Sequence, residues 1–88
     1  SLDNVPNEDI RFSHKQTLDL AKKCLDNNDA LDTRDFTAIT MAVNPEKLTA
    51  AKQIIREFRD KLSSFLEDDK KKDVYRLSIQ LFPLTKES

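Results

Sequence analysis

Residues 35–43, Asp-Phe-Thr-Ala-Ile-Thr-Met-Ala-Val, decide how the chain is read. Thr37, Ile39, Met41 and Val43 fall on one side of a two-residue period. Phe36, Ala38, Thr40 and Ala42 fall on the other. Large and β-branched residues dominate the first set and small ones the second. The pattern predicts a strand with one large-residue face and one face open to close approach.

Asn44-Pro45-Glu46 follows at once and reads as a helix entrance. Asn44 can accept the unsatisfied N–H groups of a first turn, Pro45 has no N–H to lose, and Glu46 puts negative charge at the positive end of the dipole. Leu48, Ala51, Ile55, Phe58, Leu62 and Phe65 then recur in steps of three and four, widened by Ile54 and Leu66, so a helix is expected to about Leu66. The stripe is too short for a coiled-coil seam, and packing on a sheet is the expectation. Residues 67–73, Glu-Asp-Asp-Lys-Lys-Lys-Asp, read as a solvated charged turn. Val74 to Leu84 alternates again: Tyr75, Leu77, Ile79 and Leu81 on one face, and Val74, Arg76, Ser78, Gln80 and Phe82 on the other, until Pro83 ends the ladder.

Upstream, Asn4-Val5-Pro6-Asn7 reads as another helix entrance. Ile10, His14, Thr17, Leu18, Ala21, Cys24 and Leu25 have helical spacing, and Asn27-Asn28-Asp29 is the stop, followed by a loop from Ala30 to Arg34. The expected order is helix, strand, helix, strand. This is an α+β fold: one sheet layer built on a β-α-β unit, covered by two helices, with Ile39, Met41 and Val43 beside Leu77, Ile79 and Leu81 in the core. Two strands leave two open edges, so the sheet is expected to be completed by a second copy. Residues 1–88 are expected to form one domain, its core at about 8–84, and the start without Met suggests a piece of a larger protein.

Composition narrows the function. The 88 residues carry 15 basic and 16 acidic side chains, a net charge of −1, so the basic excess of a stand-alone nucleic-acid binder is missing. One Cys and one His exclude an internal disulfide and a Cys/His zinc site, and the absence of Gly excludes glycine-rich nucleotide loops. No cofactor or metal is expected. No apolar run is long enough to span a membrane, no secretory signal opens the chain, and a cytoplasmic location is expected.

The segments FSHKQTLDLA, TRDFTAITMAV, AKQIIREFRDKL and VYRLSIQLFPLTK together resemble the C-terminal domain of unknown function of a family of predicted bacterial transcriptional regulators. The resemblance runs from about Ile10 to Lys86, and its most specific piece is the tail, Val74 to Lys86. It implies a regulatory context, with a helix-turn-helix or winged-helix DNA-binding part outside this chain. It implies no ligand and no catalytic motif.

Individual residues add little chemistry. His14 has no metal-ligand companions, and Cys24 lies on an apolar stripe as a small hydrophobe. The charges bracketing Lys70, Lys71 and Lys72 nearly cancel theirs. Arg76, Ser78 and Gln80, with Thr40 on the matching face of the first strand and Phe36 and Phe82 flanking it, form a candidate ligand or partner face; a plain solvated sheet face is the competing reading. The expected function is therefore a non-catalytic regulatory or dimerisation domain, acting as a homodimer that accepts a protein partner or small effector, without direct nucleic-acid contact. The alternative is a monomeric docking module that offers an open strand edge to a partner protein. An enzyme is not expected.

Overall fold

The computed structural model describes residues 7–85, and for residues 29 and 30 the backbone alone. Two helices carry the fold: α1, Glu8–Leu25, and α2, Leu48–Leu66. Each is followed or preceded by a 3₁₀ segment, Asn28–Thr33 after α1 and Pro45–Lys47 before α2. The chain divides into two compact units, one ending at Ile39 and the other beginning at Thr40.

In the first unit, α1 starts where a side-chain oxygen meets the free amides of its first turn. Asn7 is the cap, accepting from the backbone N–H of Asp9 at 2.8 Å and of Ile10 at 3.1 Å. Asn4, Val5 and Pro6 lie outside the described residues. Glu8 and Asp9 in the first turn and Lys22 and Lys23 in the last complement the helix dipole. The exposed Glu8–Arg11 ion pair, at 3.4 Å, adds at most a few tenths of a kcal/mol. Ile10, Thr17, Ala21 and Cys24 are half-buried, and these are four of the positions on the expected stripe; His14 is exposed.

In the second unit, Asn44 plays the part its sequence context predicts. Its side chain accepts from Glu46 N–H at 3.1 Å, and its carbonyl accepts from Lys47 N–H at 3.0 Å. Pro45 opens the 3₁₀ turn that leads into α2, and α2 ends at Leu66, with Glu67 N–H still reaching Ser63 O at 3.0 Å. Leu48, Ala51, Ile55 and Leu62 are half-buried along one line of the helix. After α2 the charged segment turns: Asp68 Oδ1 accepts from Lys70 N–H at 2.8 Å, and Asp68 O accepts from Lys71 N–H at 3.3 Å.

The expected α+β architecture is corrected. Among the described residues there is no strand and no sheet, and the fold is helical. Neither 35–43 nor 74–84 belongs to a regular element, and the open strand edge of the docking alternative goes with them. The expected sheet core is corrected too: Ile39, Met41, Val43, Leu77, Ile79 and Leu81 are all exposed. The physical reason is that a two-residue period sorts side chains but makes no backbone hydrogen bond. A strand exists only where its N–H and C=O groups find a ladder, and a two-stranded pairing is marginal in water. Here the boundary between the units, after Ile39, cuts through the first alternating stretch. No side chain among the described residues is buried.

Candidate functional site

The face expected to carry a ligand or partner comprises Thr40, Arg76, Ser78, Gln80, Phe36 and Phe82. Five of these residues lie in the second unit; Phe36 lies in the first. All six are exposed. Gln80 Nε2 donates to Ser78 Oγ at 3.0 Å, so these two side chains meet on the tail. Arg76 is engaged within the molecule. The polar pair can present an acceptor and a donor to a small polar ligand. With both groups open to water, each new contact there first displaces a water, and its net worth is small.

The other sequence candidates are placed as follows. Cys24 is a free, half-buried thiol on α1. Among the described residues, no three His, Cys, Asp or Glu side chains gather where they could hold a metal ion. No described helix is long and apolar enough to cross a membrane.

The sequence reading missed two features. The first is Arg34, read only as the end of a loop. Its guanidinium Nη1 donates to the carbonyl oxygens of Cys24 and of Asn27, the latter at 2.7 Å, and thereby closes the C-terminal end of α1. The signal was present: a cation a few residues beyond a helix end that lacks glycine can serve the last carbonyls and the negative end of the dipole.

The second is a division within the stripe of α2. The line Leu48, Ala51, Ile55 and Leu62 is half-buried, whereas Ile54, Phe58 and Phe65 are 65%, 53% and 78% exposed. Between them runs a groove lined by Phe58, Lys61, Leu62 and Phe65. The spacing explains the groove: the four residues stand at i, i+3, i+4 and i+7, the four corners of a diamond on a helix surface. Lys61 gives it a charged margin; one turn earlier on the helix, Glu57 Oε1 accepts from Gln53 Nε2 at 3.3 Å. Chemically this is an apolar recess with a charged margin, suited to receiving a side chain.

No curated protein and no solved structure matches the chain. A family model does match, over residues 1–84, and the chain belongs to that family, described as a domain of unknown function (DUF4423).

Proposed function

We propose that this chain is a non-catalytic regulatory or dimerisation domain of a cytoplasmic bacterial transcriptional regulator whose DNA-binding part lies outside these residues. The observation that carries the reading is the uncovered apolar surface. Ile54, Phe58 and Phe65 of α2 are exposed, as are Leu77, Ile79, Leu81 and Phe82 of the tail, and no described side chain is buried. Burying a large apolar side chain contributes about 1.5–3 kcal/mol, so such surface is stabilised by association. The near balance of 15 basic and 16 acidic residues supports placing nucleic-acid contact elsewhere. The tail VYRLSIQLFPLTK supports the regulator context through its resemblance.

The mechanism is geometric. Two copies pair, and the pairing fixes the separation of two DNA-binding parts to that of two half-sites. A small effector or a protein partner at Arg76, Ser78 and Gln80 biases the pairing by binding one state better than the other.

Sedimentation velocity across a wide concentration range tests the reading. The expected result is a concentration-dependent rise from 10.2 kDa toward twice that mass. A mass fixed at that of one chain, at every concentration, overturns it.

A further inference from the structure

We draw no further inference here: the strongest candidate, the apolar groove on α2 lined by Phe58, Lys61, Leu62 and Phe65, carries nothing because nothing in the structure shows what covers it.

Discussion

Arg34 reaches back ten residues to donate to the carbonyl of Cys24, and the same nitrogen also serves Asn27 O at 2.7 Å. One half-buried cation thus satisfies two oxygens at the end of α1, where Asp26 N–H already bonds Lys23 O at 3.1 Å and Asn27 N–H bonds Cys24 O at 3.2 Å. A charged donor at the negative end of a helix dipole combines a charge-assisted hydrogen bond with a favourable field. Arg34→Ala is expected to lower the stability of the first unit by about 1–2 kcal/mol. Urea unfolding followed by circular dichroism checks this. Arg34→Lys keeps the charge but trades the rigid planar group for a flexible stem, and is expected to fall between the two.

The two N-caps form a second, independent pair. Asn7 accepts two amides of α1, and Asn44 accepts one ahead of α2. Replacing either with Ala is expected to cost about 1 kcal/mol, and replacing either with Asp close to nothing. The two caps share no partner, so the double alanine variant is expected to lose the sum of the single losses to within about 0.5 kcal/mol. A double variant much worse than the sum would mean that the two helices fold as one cooperative unit.

These caps mark how far the sequence was legible. Asn44-Pro45-Glu46 announced α2, and the three-and-four spacing carried it to Leu66, because capping and helical hydrogen bonds are local and their partners stand in the same few residues. The alternating stretches failed as strands for the opposite reason. The partner of a strand is remote in sequence, and DFTAITMAV states only which side chains agree with one another, not which backbone they bond. Arg34 escaped notice because it acts across a 3₁₀ segment that no periodicity announced. The split in the α2 stripe was invisible too: Ile54 and Ile55 are alike in a hydropathy pattern, and only the exposure of one and half-burial of the other separates them.

The polar face of the tail gives a prediction of small effect. The Ser78–Gln80 hydrogen bond is fully exposed at 3.0 Å, so water replaces it readily. Ser78→Ala is expected to change stability by less than about 0.5 kcal/mol. Arg76→Glu is the sharper variant, because it reverses the charge that an anionic effector or partner would meet. On the proposed function, it is expected to leave the mass of the proposed dimer unchanged and to abolish regulation in the full-length protein, read with a reporter gene. Regulation that survives Arg76→Glu would reduce this face to ordinary solvated surface.

Cys24 connects the helix end to a chemical readout. Its thiol is half-buried while its own carbonyl is held by Arg34. A half-buried thiol is reached more freely when the last turn of α1 opens, so labelling reports that local opening. In the native protein, labelling is expected to run several-fold slower than in urea-unfolded chain at the same pH. Arg34→Ala frays the turn by about 1–2 kcal/mol, which raises the open population and brings the labelling rate close to that of the unfolded chain. Asn7→Ala, acting at the far end of the same helix, is expected to leave the rate nearly unchanged, because fraying is confined to the terminal turn. Equal acceleration by the two variants would show that α1 opens as a whole, and that Arg34 does no more for its C-terminal end than the cap does from the other.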